Sequence, residues 1–170
     1  MRKMKALFIV IAIFASFGVT AAEKIAVLDI QRAVFASSFA QSEGKAQEES
    51  ADFVAIAAKL EGAQSDFQAM AKELEEKGVT WSPEQRADHQ KKMAYIKEDA
   101  ELAAKKIQTE RQQLAQRIMQ KIQPSLDEAV KELIEEEGIN ILLRAEATLF
   151  RGPENDITAK VADRLNKKMP

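Results

Sequence analysis

The residues able to do acid–base, nucleophilic or metal chemistry are few in this sequence. It holds one histidine, His89, and no cysteine. His89 lies in a polar stretch, Glu84 to Lys92, and no nucleophile or orienting partner can be placed beside it. It therefore reads as a solvated surface residue rather than a general base. One histidine without a thiolate leaves no transition-metal ligand set. Glu135-Glu136-Glu137 gathers three carboxylates, but a solvated run at a helix end is the simpler reading than a calcium site. There is no glycine-rich phosphate loop. The expectation is a protein that is not an enzyme, with no catalytic, cofactor-binding or metal-ligating residues and no cofactor.

What remains is the chemistry of apolar contact. Trp81 stands with Val79 in a short polar segment that offers little core to enter, so contact with a bound partner and local packing are open to it in equal measure. Phe53 and Phe67 fall on one stripe and read first as helix–helix core, second as contact surface. These four are the candidates for contact with a bound partner.

The elements that must carry such contacts are helical. Ala, Glu, Lys, Gln and Leu dominate from Gln41 to Glu137, a composition that favours long helices. Phe53, Ala57, Leu60, Gln64, Phe67, Ala71 and Leu74 repeat at heptad spacing, and Ala46 and Ser50 continue the register upstream. A seam with one glutamine and several small residues predicts a loosely packed arm. Gly78 ends it, on the expectation of a left-handed helix terminus. Ser82, Pro83 and Gln85 then spell a capping box with proline at the first helical position. Two antiparallel helices joined at a tip follow. The return helix runs from Pro83 to about Glu137, and Pro83 to Gln123 alone spans on the order of 60 Å. Pro124 interrupts its pattern, which predicts a kink and a hinge.

Both ends of the chain rebuild a small β base. Lys24 to Ile30 reads as a strand, as do Ile139 to Arg144 and Glu146 to Arg151. Asn155 or Asp156 then caps a last helix with Ile157, Val161 and Leu165 on one face. The first strand must pair with partners more than a hundred residues away. Strands so few and short make no stable sheet in one chain, so Ile25, Val27, Ile139, Ile141 and Leu143 are the expected oligomerisation residues. The fold class is mainly α with a small β base: a long antiparallel helical hairpin projecting from a short-stranded oligomerisation body. Residues 23–38 and 125–170 form the base, and 39–124 the arm, with its tip near 78–83.

The N-terminus reads as an export signal. Arg2, Lys3 and Lys5 precede an apolar run from Ala6 to Val19, and Thr20-Ala21-Ala22 supplies small residues at its end. The run is shorter than the roughly 20 residues a spanning helix needs, which favours a cleaved signal over an uncleaved anchor. Cleavage is expected before Glu23, or one residue earlier. The full chain has 25 basic and 27 acidic residues. Removing Arg2, Lys3 and Lys5 leaves 22 basic residues, so the mature chain carries a net charge of −5. Broad attraction for nucleic acid is excluded.

The sequence resembles the Skp/OmpH family of periplasmic chaperones. The resemblance is carried by Lys24-Ile25-Ala26-Val27-Leu28-Asp29-Ile30-Gln31-Arg32, by Ile122-Gln123-Pro124, by Glu137-Gly138-Ile139-Asn140-Ile141-Leu142-Leu143 and by Asp156-Ile157-Thr158-Ala159-Lys160-Val161, in that order around the hairpin. It implies a periplasmic homotrimer whose base is shared between subunits. It implies three arms enclosing unfolded outer-membrane β-barrel proteins, held without ATP. Proximity to a membrane surface fits, without a transmembrane segment once the signal is removed. Familiar members are strongly basic and this mature chain is acidic, so no lipopolysaccharide-binding residues are carried over. A second class, a structural coiled-coil adaptor holding one folded partner, is open to the residues themselves.

Overall fold

The structure, a computed structural model, describes residues 23–169. The expected signal segment lies outside them. Strand β1 (Lys24–Leu28) is followed by helices α1 (Ile30–Phe35), α2 (Ser38–Glu48), α3 (Ala51–Lys77) and α4 (Pro83–Glu137). Strand β2 (Ile139–Arg144), 3₁₀ turns at Ala145–Ala147 and Pro153–Asn155, and helix α5 (Thr158–Lys168) complete the chain. Among the described residues no helix is long and apolar enough to cross a membrane.

β1 and β2 pair in parallel, with Ile25 opposite Ile141 and Val27 opposite Leu143. A parallel pair needs a crossover. Here the crossover is the whole of α1 to α4. Gly138 makes the sharp entrance to β2. Its φ of 63° is left-handed, the conformation that glycine adopts without steric cost.

One face of α4 organises the base. Ile118, Ile122, Leu126, Ala129 and Leu133 are buried at steps of three and four, so they form a single stripe. Against it lie Ala26 and Leu28 of β1, Ala33 and Val34 of α1, and Ile157, Val161 and Leu165 around α5. The α5 face expected from the sequence is this core face. Its start differs: Ile157 occupies the cap position, while Asp156 Oδ1 accepts the Thr158 amide at 2.9 Å.

The arm is the antiparallel pair α3 and α4. The Ser82–Gln85 capping box forms with both bonds present, at 2.9 and 3.2 Å. At 1.5 Å per residue the 55 residues of α4 extend about 80 Å. The outgoing helix is not continuous. α2 stops at Glu48, and Ser50 caps α3 by accepting the Phe53 amide at 3.3 Å. A hydroxyl that bonds the backbone locally starts a helix more readily than it sits inside one. Ser50 and Ala46 therefore do not extend the α3 seam. Within α3, Gln64 is exposed, while Ala63 and Met70 are half-buried beside Leu60, Phe67 and Leu74.

Two further expectations are corrected, at Gly78 and at Glu146 to Arg151. Gly78 is right-handed (φ −58°) and buried, and a Cβ there would strike the Leu74 carbonyl. Glycine is needed for that close approach and not for its backbone freedom. Glu146 to Arg151 forms no strand, because a 3₁₀ turn occupies its start. α4 runs unbroken through Pro124, an exposed residue. Ile118 and Ile122, on the arm side of Pro124, already belong to the base core.

Candidate interaction surfaces

The five residues expected to drive assembly divide between two environments. Val27 and Ile139 are buried in the chain's own base. Ile25, Ile141 and Leu143 are about 40% exposed on the outer sheet face. Strand alternation places the three exposed residues together. Ala26, Leu28 and Leu142 point to the core, which leaves Ile25, Ile141 and Leu143 on the other face. Val27 shares that alternation but is buried, and the chain returning through Asp156 pairs beside it, with the Ile157 amide donating to the Val27 carbonyl at 3.0 Å. Among the described residues the sheet has two strands, so the far edge of β2 is without a strand partner.

Two features of the base escaped sequence reasoning. Leu149 and Phe150 are fully exposed in the loop after β2. Beside β2 runs a groove of about 1110 Å³ whose apolar lining includes Ile30, Met119, Leu126, Val130, Ile134 and Leu142. The adjacent large apolar pair Leu149-Phe150 in an irregular segment was the available signal.

The base is also tied by charge. Glu128, Glu132 and Glu136 recur every four residues along α4, facing Lys168 and Arg164 on antiparallel α5. Lys168 reaches Glu132 at 2.7 Å and Glu128 at 3.1 Å. Arg164 bonds both Glu132, at 2.7 Å, and Glu136. Glu137 receives Lys160 at 2.6 Å and Lys24 at 2.7 Å, which joins α4, α5 and β1. The bond from Lys168, then that from Arg164, holds the Glu132 carboxyl below its usual range. Lys160, then Lys24, does the same for Glu137. At Asp156 burial pushes upward, but the Thr158 and Arg151 hydrogen bonds together outweigh it and the carboxyl is lowered. The glutamate run 135–137 is therefore not simply solvated, since its second and third members are structural partners. Among the described residues no cluster of metal-ligating groups occurs.

The arm offers less. From Ser50 to Gly78 Phe53 is the one buried large apolar side chain, with the Arg111 guanidinium 5.9 Å from its ring centre. Phe67 is half-buried between the helices. Of the four client-contact candidates, Val79 stands free at 86% exposure and Trp81 is half-buried. Trp81 rests on His89, ring centres 4.5 Å apart. His89 is accordingly not a solvated residue. It is 8% exposed, and both ring nitrogens are buried without a hydrogen-bond partner. The polar run around it hid this, because burial comes from α3 and the tip turn.

The comparisons with known proteins agree with this architecture. A family model described as outer membrane protein (OmpH-like) matches residues 24–165. The chain is 27% identical over 151 residues to chaperone protein Skp of Yersinia enterocolitica, spanning 89% of this chain and 90% of that protein. It is 27% identical over 156 residues to a Skp-like protein of Pseudomonas aeruginosa, spanning 92% of each. To chaperone protein Skp of Pectobacterium atrosepticum it is 26% identical over 147 residues, spanning 86% of this chain and 88% of that one. With the family model spanning β1, both arm helices, β2 and most of α5, the chain belongs to the OmpH-like outer membrane protein family, a family of non-enzymatic chaperones.

Proposed function

We propose that this protein is an ATP-independent holdase of the periplasm. It binds unfolded outer-membrane β-barrel proteins between helical arms and keeps them from aggregating. One observation carries the reading: an extended two-helix arm with almost no core of its own projects from a base that leaves apolar strand surface open. A weakly packed arm holds a client through many small contacts and selects no single sequence. The names of the Skp relatives support the chaperone class.

Assembly as a homotrimer belongs to the same reading. A two-stranded sheet is marginal alone. Pairing between subunits covers Ile25, Ile141 and Leu143, with Leu149 and Phe150 beside them, and removes the open edge of β2. Export uses the N-terminal signal, with the mature chain starting at Glu23 or Ala22. Mass spectrometry of the exported protein is expected to find that terminus and no intact Met1 species.

The deciding experiment is aggregation of two unrelated unfolded porin-like proteins with stoichiometric chaperone and no ATP. Suppression of both supports the holdase. Binding confined to one folded partner supports the adaptor reading instead. Pro124 serves as a hinge on the base side of the root of the arm, because proline removes one α4 hydrogen bond there. Pro124→Ala is expected to keep the trimer and narrow the range of client sizes held. Unchanged discrimination between a small and a large client removes that role.

A further inference from the structure

We propose that His89 is an acid-operated latch at the tip of the arm: neutral, it holds Trp81 against the hairpin, and protonated, it lets Trp81 go. The neutral ring serves as a flat, largely apolar filler, 4.5 Å from the Trp81 ring and 8% exposed. Neither ring nitrogen has a hydrogen-bond partner. A neutral imidazole tolerates this far better than an imidazolium, which carries two N–H donors and a full charge.

The charged groups around it give a cation one partner at ion-pair distance and no hydrogen bond. On α3 the near carboxylate is Glu73, whose Oε2 is 3.8 Å from His89 Nε2, beyond hydrogen-bond reach. Its other oxygen is held by Lys77 at 3.3 Å. On α4, one turn before His89, Arg86 donates to the Val79 carbonyl at 3.4 Å and so sits over the same turn. Asp88 and Lys92, adjacent and three residues on, are exposed. A proton on His89 adds a third positive charge near Lys77 and Arg86 against the single carboxylate of Glu73. The charged ring must then swing to water, and Trp81 loses the surface it rests on.

Release has a consequence for the arm. Trp81 joins the already exposed Val79, and the tip gains an apolar contact suited to an unfolded chain. That consequence rests on the holdase reading, whereas the latch itself does not.

Trp81 is the sole tryptophan, so its emission reports the tip alone. The full mature chain is titrated from pH 8 to pH 5 with helix content followed in parallel. For the wild type, emission is expected to move to longer wavelength as pH falls, with the protection of amides 79–82 relative to their intrinsic exchange at each pH about tenfold lower at the acid end. His89→Phe keeps the stacked filler without the proton and is expected to stay flat at the short-wavelength end. A flat wild-type titration overturns the proposal. So does the same transition in His89→Phe, or a shift to shorter wavelength, which means that Glu73 pairs with the imidazolium and tightens the tip. Client binding measured on the same two proteins then separates the latch from its use. A latch that opens without altering client affinity leaves the first standing and removes the second.

Discussion

Base and arm are built from the same α4 helix, yet they are held together in different ways. Below Leu114 each turn of α4 meets β1, α1, α2 or α5, and Ile118, Ile122, Leu126, Ala129 and Leu133 all disappear from solvent. Above it α4 meets mainly α3, with the tip turn at its far end and Gln47 of α2 reaching Glu110 at 3.4 Å, and from Pro83 to Gln113 the buried side chains are His89 and Ala103. A helix touched on one side by one neighbour leaves most of its circumference wet. At about 25 cal/mol per Å² of apolar surface buried, an alanine-rich seam contributes little per turn. The difference teaches that the base sets stability and the arm sets shape.

The largest effect is expected at the centre of the base. Ile122→Ala leaves a cavity among fully buried neighbours and should cost about 2–5 kcal/mol in urea denaturation. The matching arm change, Leu60→Ala, should cost about 1 kcal/mol or less, because Leu60 is only half-buried. Similar losses at the two sites dissolve the distinction.

Next is assembly. Ile141→Asp puts a charge on a side chain already 40% exposed in the single chain. Circular dichroism should show its helices intact while light scattering shows the assembled species lost. Extensive unfolding, the simple expectation for a core strand residue, instead places Ile141 inside the base.

Acid should separate the regions more gently. The Glu132, Glu137 and Asp156 carboxyls are lowered in the folded chain. Groups of that kind contribute stability that is present above their ordinary values, 4.5 for Glu and 3.8 for Asp, and is lost as pH falls through the lower folded values. The base should therefore weaken below about pH 4, first where α5 meets α4. Amide exchange over residues 158–168 should rise there before exchange over residues 118–133. Simultaneous loss denies the carboxylates a local role. The smallest effect is expected from Lys59→Ala, which removes an exposed pair to Asp99 at 3.5 Å across the arm. It should change stability by less than about 0.5 kcal/mol, and added salt should mimic it.

Signals confined to a few adjacent residues were legible without a structure. Ser82, Pro83 and Gln85 announce a helix start because all the atoms of a capping box lie within four residues. Ile157, Val161 and Leu165 announce a helix face because the helical period alone puts them together. Ile25 and Ile139 to Leu143 were legible as strands for the same reason, with alternation built into the backbone. The client-contact candidates were less so. Val79 and Trp81 looked alike in the sequence, and the chain folds one outward and the other onto His89.

A helical hairpin between two distant strands and the family resemblance could be read from the sequence without a structure. Periodicity, capping and residue inventory are properties of short stretches and of counts, so they survive without coordinates. The tertiary structure alone decided which strand face is left open and that α5 is strapped to α4 by a charge ladder. It alone decided that α2 and α3 are separate helices and that His89 is buried. Each depends on what arrives from another part of the chain: the return through Asp156 beside Val27, the antiparallel approach of α5, the fold of the tip over α4. Burial is a relation between segments, and the residues around His89 carry no local mark of the ring that covers it.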